Sequence, residues 1–207
     1  MLSLCREAKE MIKIPQSMLQ QLPDLARKAR RVFSKRKKLL RRKLIGTLKS
    51  EEHQFKVYCE EVYGKGDSAD LDCRASVLFN TRTMLKEIFI YRHGTTVNLQ
   101  QAIGHEIVHC LRSDRRSSPS LSVYMNSNAE IEAETASLAQ IIGPVLWKDP
   151  ISRKQFRDWV GGDPFKLVDY YFIEDLISDH VDYWIEHRNK RAMKKLIKAI
   201  KIVLQLK

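Results

Sequence analysis

No stretch of this chain approaches the roughly 18 apolar residues in a row that read as a membrane-crossing helix. Residues 1–15 are broken up by Arg6, Glu7, Lys9, Glu10 and Lys13, so the unbroken apolar segment of a secretory signal is missing and a cytoplasmic protein is expected. Cysteine is sparse. Cys5, Cys59, Cys73 and Cys110 stand far apart with no C-x-x-C pair, which points away from both a disulfide scaffold and a thiolate metal site. Internal repeats are absent, as is low-complexity sequence outside the basic runs.

Acid is missing from two long segments. Residues 27–49 hold 12 Lys/Arg and residues 188–207 hold 8, with no Asp or Glu in either, while the whole chain has a formal net charge of +12. The rest is therefore net acidic, and the charge is asymmetric rather than uniform. In the first segment Leu25, Ala29, Val32, Phe33, Leu40, Leu44 and Leu48 recur at near-helical spacing behind a Pro23-Asp24 cap. In the second, Met193, Leu196, Ile197, Ile200, Val203 and Leu204 form a stripe opposite the lysines. Both predict amphipathic helices that pack their stripes on the core. Their basic faces suit phosphate neutralisation on a nucleic acid, an anionic membrane surface or an acidic protein. Aromatic side chains for base stacking are lacking apart from Phe33, so sequence-specific readout is not expected.

What the chain does contain is His105-Glu106-Ile107-Val108-His109, an H-E-x-x-H. On a helix, positions i and i+4 share a face, so two imidazoles can address one divalent ion. Glu106, about 100° around from His105, is placed to take a proton from a water on that ion. Asn98 with Gln101 reads as a capping box starting this helix, and Ile103, Ile107 and Cys110 make a core-facing stripe that leaves the histidines toward a cleft.

A catalytic zinc takes three protein ligands. The third is sought on a second helix over residues 127–142, opened by Ser127 with Glu130 and closed by Gly143-Pro144. Glu130 is already explained by capping and the helix dipole, and Glu132 among alanines is expected to face solvent. Glu134, flanked by Ile131, Leu138 and Ile141, needs a partner if buried, and a metal supplies one. Glu134 therefore ranks first, Glu130 second and Glu132 last. An oxyanion stabiliser is sought among Tyr124, His180, Tyr183 and His187, and Asp114 is a candidate to orient a ligand imidazole.

These motifs resemble the ImmA/IrrE family of zinc metallopeptidases: the strand Ile88-Phe89-Ile90-Tyr91, His105 to His109, then Glu134 through Leu138-Ala139 toward Pro144. The likeness covers residues 75–145. Val108 stands where that family often has Gly, and the glutamate helix is one residue short before its proline. The resemblance implies a mostly helical zincin-like fold with a small sheet, one zinc per chain held by His105, His109 and Glu134, and a protein substrate such as a helix-turn-helix repressor. SprT-type metalloproteases also carry basic regions but take a third histidine soon after the motif, and none stands between His109 and His180.

The expected architecture is thus α+β and mainly α. Residues 1–49 form a basic helical region, 50–187 a metallopeptidase-like body and 188–207 a basic amphipathic helix. Within the body, helix is expected at 51–63, strands at 73–80 and 86–92, a loop at 113–126, turns at 149–150 and 161–164, and helix from 165 to 187. The rival to an enzyme is a non-catalytic nucleic-acid-binding regulator with a structural or vestigial metal site.

Overall fold

The computed structural model describes residues 11–34, 42–60, 75–80, 85–91, 99–112, 121–163, 165 and 179–205. They form an α+β, mainly helical arrangement with one four-stranded sheet. In chain order the elements are α1 (Gln16–Phe33), β1 (Lys43–Lys49), β2 (Gln54–Glu60), β3 (Ala75–Asn80), β4 (Leu85–Tyr91) and α2 (Leu99–Arg112). There follow α3 (Leu121–Met125), α4 (Asn128–Ser137), a π-helical turn (Leu138–Ile142), α5 (Gly143–Lys148), α6 (Pro150–Gly161), α7 (Asp179–Glu186) and α8 (Lys190–Val203).

The sheet order is β1-β2-β4-β3, with β2 and β4 parallel and the other pairs antiparallel. Phe55, Val57 and Cys59 alternate inward on β2, and Ile88 and Ile90 do so on β4. These side chains meet the buried stripe of α1 (Met18, Leu22, Leu25, Ala26, Ala29, Val32) and Ile103, Ile107 and Cys110 of α2 in one apolar core. Gly46 permits the contact of β1 with α1, because a β-carbon there would stand 2.6 Å from Leu25 Cδ2. On the opposite face Tyr58 stacks on its neighbour Phe89 at 5.3 Å, with the Arg42 guanidinium over the Phe89 ring.

A second core gathers Ile131, Leu138 and Ile142 with Phe156 and Trp159 of α6, Val181 and Trp184 of α7, and Met193, Leu196 and Ile200 of α8. α4 thus serves both cores, giving Ala133 and Ala136 to the first and Ile131 to the second. No helix among the described residues is long and apolar enough to cross a membrane.

Several local expectations are corrected. The helix expected over 51–63 is strand β2, since the segment alternates in burial with period two rather than 3.6. The first basic helix does not begin at Pro23-Asp24 or run to Leu48. It starts at Gln16, contains Pro23 and ends at Phe33, and Leu44 and Leu48 belong to β1. Burial of Met18 and Leu22 on either side of the expected cap extends it backwards. The boundary placed at residue 49 falls at the turn of the β1–β2 hairpin, where the Ser50 amide donates to the His53 carbonyl. Gly143-Pro144 does not stop the glutamate helix. The chain turns through the π-helical segment and continues as α5, with proline in its first turn, where a missing N–H is tolerated. Asp149-Pro150 starts α6, with the Asp149 carboxylate accepting from the Ser152 amide. The expected loop includes helix α3. The strands at 75–80 and 85–91 and the basic helix α8 lie where expected. Asn98 and residues 61–63, 92 and 166–178 lie outside the described residues.

Candidate metal centre

α2 crosses α4 at Gly104, where a β-carbon would come within 2.1 Å of Ile141 Cδ1 and 3.6 Å of Ser137 Cβ. This close approach brings His105 of α2 against Glu130 and Glu134, which share a face of α4 at i and i+4. Nδ1 of His105 lies 2.7 Å from Glu134 Oε2, and its Nε2 lies 3.0 Å from Glu130 Oε2. Nε2 of His109 lies 2.9 Å from Nε2 of His105 and 3.2 Å from Glu130 Oε1. His180 enters from α7, its Nε2 3.4 Å from Glu130 Oε2 and its Nδ1 3.9 Å from Glu134 Oε2. Gln101 closes the rear, its amide donating to both oxygens of Glu134 at 2.9 Å. Tyr124 of α3 sits over the His180 ring with centroids 5.9 Å apart.

The cluster is buried. His105, Glu106, Glu130 and Glu134 are all less than a tenth exposed. Burial opposes a charge on the His105 ring, but its hydrogen bonds to Glu130 and Glu134 outweigh that and hold it well above the ordinary histidine range. Burial likewise pushes the Glu130 carboxyl upward, and its polar contacts with His105, His109 and His180 overcome it, keeping the group well below the usual carboxylate range. Glu106 differs. Burial raises its carboxyl, the charges of His105 and His109 work the other way, and Glu130 adds to the rise.

A divalent cation fits this arrangement. His105, Glu130 and His180 each offer a ligand atom within 4.8 Å of one another. The facing Nε2 atoms of His105 and His109 aim at one locus beside Glu130, and ligands about 2.0–2.1 Å from a tetrahedral zinc stand roughly 3.3 Å apart. His180 Nε2 is buried with no hydrogen-bond partner among the described residues, although Glu130 Oε2 lies 3.4 Å away. A buried ring nitrogen without a hydrogen-bond partner beside a carboxylate is compatible with a cation ligand. Imidazole ligands suit zinc, copper, iron and nickel.

The structure therefore brings together His105, Glu106, His109, Glu130, Glu134, Tyr124 and His180. Glu134, ranked first as third ligand, lies on Nδ1 of His105, away from the locus that the two Nε2 atoms share. Glu130, ranked second, lies 3.0 Å from the His105 Nε2 and 3.2 Å from the His109 Nε2. Glu130 is not spent on a reciprocal cap: its own amide donates to Ser127 Oγ, while its carboxylate joins the histidines. Glu132 is not simply solvent-facing, since it pairs with Arg112 and with Lys195 at 3.8 Å. Tyr183 and His187 stack on each other at 4.0 Å, and His187 lies two turns, about 10 Å, along α7 from His180. Asp114 lies outside the described residues. Sequence reasoning assigned Gln101 to a cap and His180 to oxyanion stabilisation, whereas Gln101 lies against Glu134 and His180 beside Glu130. The signal for Gln101 is its place one turn before His105 on the same face.

Cys59 and Cys110 are free, buried thiols; burial pushes Cys59 up to about 12 and Cys110 higher still, so neither offers a thiolate. No protein-family model, curated protein or solved structure matches this chain.

Proposed function

We propose that the protein is a zinc-dependent peptidase of the H-E-x-x-H type. The observation that carries this reading is the convergence of the His105 and His109 Nε2 atoms on Glu130, with the buried carboxyl of Glu106 beside them. His105, His109 and Glu130 hold the ion. Glu134 fixes the His105 ring through Nδ1, and Gln101 fixes Glu134, the carboxylate–imidazole support typical of such centres. When bound, zinc polarises a carbonyl and acidifies water at neutral pH.

Glu106 is the general base. Burial raises its basicity, and it would take a proton from the attacking water and return it to the leaving nitrogen. The resemblance to ImmA/IrrE peptidases supports a peptide bond as target, with a DNA-bound repressor as one substrate class. The test is zinc analysis of the purified protein together with Glu106→Gln, assayed on an unstructured protein substrate. About one zinc per chain, retained in the variant with cleavage lost, is expected. Zinc near zero after zinc-replete expression, or cleavage surviving in the variant, overturns the reading.

A second reading, nucleic-acid binding, is favoured by α8, whose sequence holds no acid and whose Lys190, Arg191, Lys194 and Lys198 are exposed. Binding of this kind falls steeply with salt. Retention of DNA that does not change between low and moderate salt counts against it.

A further inference from the structure

We propose that His180 is a fourth side-chain ligand to the same ion, so that the resting centre is closed and a reacting molecule enters by displacing the α7 imidazole. This rests on the zinc reading above. Three observations lead to it. The ligand atoms of His180, His105 and Glu130 fall within one coordination-sized cluster, within 4.8 Å of one another. Nε2 of His180 is buried and makes no hydrogen bond, although Glu130 Oε2 is only 3.4 Å away. A histidine recruited merely to hydrogen-bond Glu130 would align with it; one aimed at a point that Glu130 also faces would not.

The third observation is how firmly α7 is held. Val181, next to His180, and Trp184, one turn further on, are buried in the second core, and Trp184 Nε1 donates to the Met125 carbonyl at 3.0 Å. The Asn189 amide after α7 bonds Asn126, just ahead of the helix that carries Glu130. The imidazole is thus delivered by an anchored element, which fits a ligand better than a group free to follow a substrate.

Three imidazoles and a carboxylate complete a tetrahedral shell, and catalytic zinc centres keep one position open. With His180 bound, Glu106 has no water to deprotonate. The position would open when the His180 side chain swings away, α7 itself staying anchored by Val181 and Trp184.

Zinc absorption fine structure on the wild-type chain counts imidazoles directly: three are expected, and two would exclude His180. Cobalt-loaded wild type and His180→Ala then test displacement. The variant is expected to keep one cobalt per chain, bind it at least about ten-fold more weakly, show an altered visible spectrum, and take up azide at least about ten-fold more readily. Unchanged cobalt affinity, spectrum and azide response overturn the fourth ligand while leaving the zinc reading intact. A wild-type chain that takes up neither zinc nor cobalt overturns both.

Discussion

The core between the sheet, α1 and α2 and the core among α4, α6, α7 and α8 are apolar, whereas the crossing of α2 and α4 between them is not. Of the eight polar or charged residues buried among the described residues, seven lie on α2 and α4: Gln101, His105, Glu106, Glu130, Glu134, Thr135 and Ser137. Apolar side chains could fill the same space with no desolvation cost, and a buried cluster of charges is weak evidence of stabilisation. The two cores stabilise the fold. The seam between them holds its polar groups largely against one another, His105 on Glu130 and Glu134 and Gln101 on Glu134.

The contrast breaks most sharply if the seam proves to be mere packing. Glu130→Ala is expected to lose zinc almost completely, because it removes the proposed carboxylate ligand, whose two oxygens lie one against each Nε2 atom. Glu134→Ala removes the support behind His105 and is expected to weaken zinc by roughly 10–100-fold. Chelator competition on the two variants side by side measures this. A greater loss for Glu134→Ala returns the third ligand to the position that the sequence ranked first, and no loss for either removes the metal from the seam altogether.

The cores make the opposite prediction. Leu196 is almost wholly buried on α8, and Leu196→Ala should lower unfolding free energy by about 2–5 kcal/mol. Zinc should remain near one per chain. Urea denaturation with parallel metal analysis checks both halves; zinc lost from a variant that is still folded would mean that the second core also positions the ligands.

What was legible in the sequence follows the same division. The histidine pair, Glu106 and the two glutamates one turn apart could be read because their spacing matches a helix face. The strands over 75–80 and 85–91 were legible, but β2 was not, although Phe55, Val57 and Cys59 alternate. Lys56, Tyr58 and Glu60 between them, with acidic residues on either side, hide a strand inside a helix-like composition. The choice between Glu130 and Glu134 was beyond local reasoning. An apolar flank shows that Glu134 needs a partner, but only the crossing at Gly104 shows that the partners are Gln101 and the rear nitrogen of His105. His180 lies 71 positions beyond His109, and no periodicity connects them. Tertiary contacts that distant are set by the packing of Val181 and Trp184, which carries no signature of the metal.

Gly104 links the two regions, since it sets how closely the seam can form. Gly104→Ala places a methyl against Ile141 Cδ1, and the resulting strain should cost about 1–3 kcal/mol. Ile141→Val in the same chain should return part of that loss, because it removes the atom in conflict. A double-mutant cycle by thermal denaturation measures the coupling. Strict additivity would mean that α2 and α4 have room to separate, and that their close crossing is not what holds His105 to the glutamates.

The smallest effect sharpens the contrast within α4 itself. Ser127 caps this helix, its Oγ accepting from the Glu130 amide at 3.2 Å, while the Glu130 side chain points into the histidine cluster. Backbone and side chain of one residue thus serve different ends. Ser127→Ala should cost about 1 kcal/mol, the usual price of a lost cap, by leaving one amide of the first turn without its acceptor. Because α4 is held by Ile131 and Ala133 in opposite cores, the carboxylate should stay in place. Zinc affinity is therefore expected to change less than about three-fold while the melting temperature falls. If Ser127→Ala loosens zinc as strongly as Glu134→Ala does, the first turn of α4 is held by its cap rather than by the cores, and the separation between fold and site fails at Glu130.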